Sequence, residues 1–333
     1  MSRKRDNPAG TAAPEVFARR SGFGPFQALQ SRRNWFAINI ALLIIAIVIP
    51  FKANNYVLEV LANAWFYVVL CLGLNIVIGY AGLLDLGYAA FFAVGAYTTA
   101  ILTSQFGFNF WLTIPFAVIF ATIAGIVIGG PTLRLRSDYL AIVTLGFGEI
   151  TRIAARNLKI TGGASGLIGI DRPNLFGLDL YQISHYYYVF LVLAVLACFV
   201  SYRLQHSRLG RAWQYVREDE DAAEAMGINR VMIKLYAYII GAVFAGIAGC
   251  FFAAKMTAIS PETFTFNQSV LILLGVVLGG MGKIPGVMIG AFALVLFPEV
   301  FRDIGAMRML VFAVVMLIIM LYRPHGIWPE KRQ

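Results

Sequence analysis

Apolar stretches close to the length of a bilayer crossing recur along almost the whole chain, and they decide what it can become. A helix that crosses the hydrocarbon core needs about 20 apolar residues, with a range of roughly 17–25. Candidates fall near 35–51, 56–79, 82–104, 110–130, 138–157, 186–203, 233–255, 267–282, 284–302 and 306–322. In lipid, every backbone polar group has to find its partner inside the protein, so helices are the expected form. The reading is an all-α polytopic membrane protein of about ten transmembrane helices, with broken or re-entrant segments and both termini cytoplasmic. Composition agrees: 13% of the 333 residues are charged, against about 25% in soluble domains.

The net charge of +10 raises the question of nucleic acid. Its distribution argues for membrane lipid instead, because the basic residues mark the ends of apolar segments and short loops. Residues 1–34 read as a basic, disordered cytoplasmic tail, 35–322 as the membrane domain and 323–333 as a second cytoplasmic tail. No small-residue cleavage site follows the first apolar run, which reads as an uncleaved span. With the N-terminus inside, ten crossings place Arg134, Arg136, the 204–232 loop, Lys283 and Arg323 on the cytoplasmic side. The opposite loops are poor in Lys and Arg, as the positive-inside rule requires.

Cys71, Cys198 and Cys250 lie far apart within apolar segments, with no metal-ligand spacing, so no metal or cofactor is expected on this chain. No HExxH or GxSxG is present to suggest an intramembrane enzyme.

Glycine describes the packing. Gly125/Gly129, Gly241/Gly249, Gly275/Gly279 and Gly282/Gly286/Gly290 lie at helical spacing, which lets backbones approach closely in lipid. Two Gly-rich stretches, 79–97 and 278–290, predict broken helices bordering a pathway. Acids deep in apolar sequence face the protein interior. Asp85 either lines the path or pins a broken helix through backbone N–H groups, and Glu149 either pairs with Arg152 or belongs to the path. Asn75 and Thr144 are further candidates for polar contact with a substrate. Glu59, Lys255 and Glu299, near span ends, are expected to snorkel. The segment ITGGASGLIGIDRPN (160–174) predicts specific turns, serving either as a docking surface for an external partner or as a plain connection.

One long charged stretch separates two apolar segments: RLQHSRLGRAWQYVREDEDAAEAMGINRVMIK, from Arg203 to Lys234. Within it Glu218, Asp219 and Asp221 predict the acidic first turn of a short helix over about 218–227, followed by Ala222 and Ala223 and stopped by Gly227. Asp221-Ala222-Ala223-x-x-x-Gly227 resembles the Glu-Ala-Ala-x-x-x-Gly signature of ABC importer permeases, with Asp in place of Glu. LRLRSDYLAIVTLGFGEITR (133–152), ITGGASGLIGI (160–170), ISPETFTF (259–266), VVLGGMGKIPGVMIGA (276–291) and LYRPHGIWP (321–329) extend the likeness to LivM-type permeases of branched-chain amino-acid importers, from about residue 70 to 329.

That resemblance implies a subunit of the bacterial inner membrane that alternates between outward- and inward-open states. It implies a second permease subunit of LivH type, a periplasmic substrate-binding protein and two cytoplasmic ATPase subunits. Glu218, Asp219, Asp221, Ala222, Ala223 and Gly227 would then form the coupling helix on which an ATPase acts. The sequence agrees on one independent point. It carries no P-loop, since Gly282-Lys283 is followed by Ile284, so ATP and Mg belong to partner chains. The rivals are a related permease for urea, short amides or other amino acids, and an ion-coupled secondary transporter. The latter should show inverted repeats and a midplane cluster of acids.

Overall fold

The computed structural model describes residues 44, 46–133, 137–175, 178–179, 182–322 and 326–327. The 1–34 tail, most of the 35–51 span, Arg134, Arg136 and all of the 323–333 tail except Gly326 and Ile327 lie outside the described residues. The chain divides into two compact units, Met1–Lys52 and Ala53–Gln333. In the first, a short 3-10 turn covers Ile49–Phe51; the helices that follow belong to the second.

Helix α1, Asn55–Asn75, runs without a stop into a π-helical turn, Ile76–Tyr80. Helix α2 spans Tyr88–Ser104 and α3 spans Phe110–Thr132. Asn109 begins α3 by accepting a hydrogen bond from Trp111 N at 3.2 Å, a side-chain cap for an otherwise unpaired donor. Helix α4 covers Ser137–Asn157 and α5 covers Ile183–Gln205. Two shorter helices follow, α6 (Arg208–Glu218) and α7 (Glu220–Ala225), before the long α8, Arg230–Met256. The series closes with α9 (Phe266–Gly279), α10 (Ile284–Val300) and α11 (Arg308–Tyr322).

Most of these boundaries lie within a few residues of the expected spans, though the helix expected over 82–104 begins at Tyr88, and among the described residues four segments are long and apolar enough to cross a membrane: Asn55–Tyr80, Phe110–Thr132, Ile183–Gln205 and Arg230–Met256. Tyr88–Ser104, Phe266–Gly279, Ile284–Val300 and Leu310–Ile319 are shorter apolar helices. The protein is thus a multi-pass helical membrane protein. Burial sorts the helices into centre and rim. In Asn55–Tyr80, 78% of the most apolar window is buried, against 33% in Phe110–Thr132. Helix α8 packs on α1, α2 and α3, while α1 also meets α5, α9 and α10. On α3 the outward Ile119, Phe120, Ile123 and Val127 are exposed, as a face turned to hydrocarbon would be.

Glycine makes the central contacts close. A methyl group at Gly95 of α2 would overlap the Gly246 backbone on α8, and one at Gly249 would sit 2.8 Å from Ala96 N. The same construction joins α9 to α10, where a methyl at Gly290 would lie 2.6 Å from Gly279 N. Small residues in these seams let dispersion contacts between backbones hold helices together where burial of apolar surface cannot.

The 160–174 segment forms turns as expected. Gly162, Gly163, Gly166 and Gly169 all have positive φ, and strand β1 (Leu167–Ile168) pairs antiparallel with a later strand, Ala258–Ile259. A second small ladder, Asn174–Leu175 with Leu178–Asp179, follows it. One expectation fails. Lys255 does not snorkel: its side chain is 7% exposed and reaches across to α1, where Nζ lies 3.3 Å from Glu59 Oε1 and donates to Asn63 Oδ1 at 2.6 Å. A nearby carboxylate and amide made an inward route less costly than a climb to water.

Candidate functional site

The short helix expected over about 218–227 is present as Glu220–Ala225, and a separate helix, Arg208–Glu218, precedes it. Asp219 separates them. Its backbone is extended, and its carboxylate accepts from Asp221 N and Ala222 N, both at 3.0 Å, so it ends α6 and starts α7. At the other end Gly227 has φ +86°. Its N–H donates to Glu224 O at 2.9 Å, and Ile228 N donates to Ala223 O at 3.1 Å, the double closure of a Schellman motif. Gly227 therefore stops the helix, as its position in the sequence implied.

The two alanines of the signature face opposite ways. Ala223 is 2% exposed and packs inward, whereas Ala222 is exposed beside Ala225 and Met226, the last at 78% exposure. Ala223 seats α7 on its own protein. Arg230 at the start of α8 ties α7 down by pairing with Asp221 at 3.0 Å and Glu224 at 3.1 Å. Lys234, 3% exposed, lies 2.6 Å from Glu220. Glu218 is exposed.

Helix α6 is amphipathic. Ser207 Oγ accepts from Gly210 N at 3.1 Å to begin it, and Trp213 and Val216 are buried beneath it. Trp213 donates its indole N–H to Ile233 O at 2.7 Å and stacks on Tyr80, with centroids 6.4 Å apart and planes 13° apart. Arg217 Nη1 donates to Gly79 O at 2.5 Å. The loop thus rests directly on the end of the π-helical turn.

Both predicted helix breaks are present. After Tyr80 regular helix is lost until Tyr88, and between Gly279 and Ile284 the chain turns through Gly280 and Gly282, both at positive φ. Buried Asn75 joins them, its Oδ1 accepting from Gly282 N at 2.8 Å. Asp85, fully buried, accepts from Gly87 N at 2.8 Å through Oδ1. Thr144 Oγ1 accepts from Leu86 N at 3.0 Å, and Ser269 Oγ accepts from Ala89 N at 2.9 Å. So Asp85 and Thr144 come together around 85–87, while Asn75 works at the opposite side of the break. All three pin irregular backbone, which at such a break must find partners within the protein.

Glu149 lies apart from them. It pairs with Arg152 at 2.8 Å, and Arg152 also reaches Glu262 at 3.2 Å. Glu149 borders a shallow surface depression with Leu86, Ala89, Gly148, Phe264 and Ser269. Sequence reasoning missed Trp213, Arg217, Ser269 and Met226. Only the alternation of apolar and charged residues in RAWQYVRE gave a signal, pointing to an amphipathic helix with Trp213 inward. Among the described residues, no group of three His, Cys, Asp or Glu is placed to hold a metal ion.

Residues 56–321 match the family described as branched-chain amino acid transport system / permease component. The chain belongs to that family. Over 317 residues it is 43% identical to LivM of Escherichia coli (strain K12), a high-affinity branched-chain amino acid transport system permease protein, covering 88% of this chain and 75% of that one. BraD of Pseudomonas aeruginosa, a permease protein of the same description, is 25% identical over 290 residues, 78% of this chain and 91% of its own. LivH of Salmonella typhimurium is more distant, 24% identical over 251 residues, with 68% and 79% covered. No solved structure gives a significant match. The family match spans both helix breaks and the whole of α6 and α7.

Proposed function

We propose that the chain is the permease subunit of an ATP-driven importer of branched-chain amino acids (Leu, Ile, Val) in a bacterial inner membrane. The observation that carries this reading is the seated loop. Helices α6 and α7 hold the permease signature, rest on a helix break, and turn Ala222, Ala225 and Met226 outward. One of two cytoplasmic ATPase subunits would grip that outward edge, with Glu218, Asp221 and Ala222 in contact, while Asp219, Ala223 and Gly227 shape and seat the helix. A second permease of LivH type would share the path, and a periplasmic binding protein would deliver the amino acid. The nucleotide belongs to the partners because this sequence lacks a P-loop. Asn75, Asp85 and Thr144 border the path by holding its broken walls, and Glu149, paired with Arg152, lines it as well.

In this mechanism ATP binding moves the loop, and the loop shifts the balance of two states. The partners can move that balance only by their differential affinity for the two arrangements. Uptake of labelled leucine, isoleucine and valine by cells or vesicles carrying the full set of subunits tests the reading. It should be inhibited by vanadate and survive an uncoupler. Uptake abolished by the uncoupler and indifferent to vanadate would assign the chain to ion-coupled transport, and preference for urea or short amides would move the substrate class.

A further inference from the structure

We infer that Arg217 is a positioning residue through which the docking loop sets the conformation of the 76–87 break, an inference that rests on the coupling role just proposed. A helix end leaves carbonyls without intrahelical donors, and a cation there also faces the negative end of the helix dipole. At the end of α1 the chain gives Gly79 O such a donor from another element, 138 residues away: Arg217 Nη1, at 2.5 Å. The stem of Arg217 lies over Gly82, whose φ is +71° and where an added methyl would be 2.9 Å from Arg217 Cγ. One side chain therefore touches the break at two points, beside the Tyr80–Trp213 stack.

The second break is tied to the start of the loop, on the other side of α6 in the chain. Gln205, the last residue of α5, donates to Gly282 O at 3.3 Å, while Gly282 N donates to Asn75 Oδ1 at 2.8 Å. Beyond the first break the chain is held from α4 by Thr144 and from α9 by Ser269. Between the loop and those two helices, the 81–87 segment is the piece of backbone free of regular helix. A displacement of α6 that carries Arg217 would pull on Gly79 and Gly82 and so re-aim the start of α2.

The test uses the complete complex with its ATPase and permease partners. Arg217→Met keeps the apolar stem over Gly82 and removes the donor, and Arg217→Lys restores a charge without the planar fork. The readout is amino acid transported per ATP hydrolysed, which a residue needed only for folding would leave unchanged in whatever complex assembles. Losing a charged hydrogen bond corresponds to about a tenfold effect or more, so Arg217→Met should lower that ratio by roughly tenfold. Hydrolysis should persist, and Arg217→Lys should recover part of the ratio. If Arg217→Met does not assemble, an Arg217→Lys ratio below wild type still supports the role. An unchanged ratio in every variant that assembles overturns it. Failure of the underlying reading looks different, since wild-type uptake would then not depend on ATP at all.

Discussion

Two kinds of joint hold these helices together, and they differ in what side chains add to them. Between α2 and α8, and between α9 and α10, glycines bring backbone against backbone, with no room for a methyl group. At the 76–87 and 280–283 breaks glycines also pack closely, Gly79 against Gly282 N and Gly87 against Thr144 O, but there single side chains add hydrogen bonds to the irregular backbone: Asn75, Asp85, Thr144 and Ser269 accept and Arg217 donates. Close-packed seams have one good arrangement and resist deformation. A hydrogen bond to irregular backbone can be exchanged for another at small net cost, since a typical one contributes only about 0.5–1.5 kcal/mol. In the mechanism proposed above, the difference would separate the parts that move as rigid bodies from the parts that bend.

The largest expected effect comes from damage to a seam. Gly95→Val drives a branched side chain into the Gly246 backbone, and overpacking of this kind costs about 3 kcal/mol or more. Loss of monodisperse protein after detergent extraction should follow, and a well-folded variant would show that the seam is soft. Next, Ala223→Glu places a carboxylate at a position 2% exposed, costing about 3 kcal/mol or more if left unpaired. The α6–α7 loop should unseat and uptake disappear, while the helices still insert; protease sensitivity of the loop reads this out.

A third contrast lies within one ion pair. Lys234 is buried and Glu220 is half-exposed. Glu220→Gln leaves a buried cation and should lower stability by about 2 kcal/mol, whereas Glu220→Gln with Lys234→Met should return most of it. Thermal unfolding of the three proteins measures the pattern. The smallest effect belongs to the Arg152–Glu262 pair, both ends of which reach solvent. Glu262→Gln should cost about 0.2–1 kcal/mol, and the loss should shrink as salt is raised.

Much of this was legible in the sequence, for identifiable reasons. Bilayer thickness fixes helix length, so the expected 56–79, 110–130 and 233–255 spans match Asn55–Tyr80, Phe110–Thr132 and Arg230–Met256 to within a few residues. Glycine clusters located both breaks because they carry positive φ at Gly82, Gly280 and Gly282. Partners distant in the chain were not legible. Nothing in the spacing of Arg217 and Gly79, or of Lys255 and Glu59, signals that they meet. Asp219 was read as one acid of a first turn, whereas its extended backbone makes it the cap that begins α7 just after α6 ends. Ala222 and Ala223 looked equivalent until burial separated them.

The claim at the centre is that the outward edge of α7 is gripped by an ATPase. Of the native cysteines, Cys71 and Cys250 are buried and Cys198 is partly so, which leaves a quiet background for new thiols at Ala222→Cys or Met226→Cys. Cross-linking of these to the ATPase subunits in inside-out vesicles, with and without ATP, is the direct measurement. A cross-link to the ATPase whose yield changes with nucleotide is the predicted result. Absence of any such cross-link in vesicles that still carry out ATP-driven uptake would contradict the account.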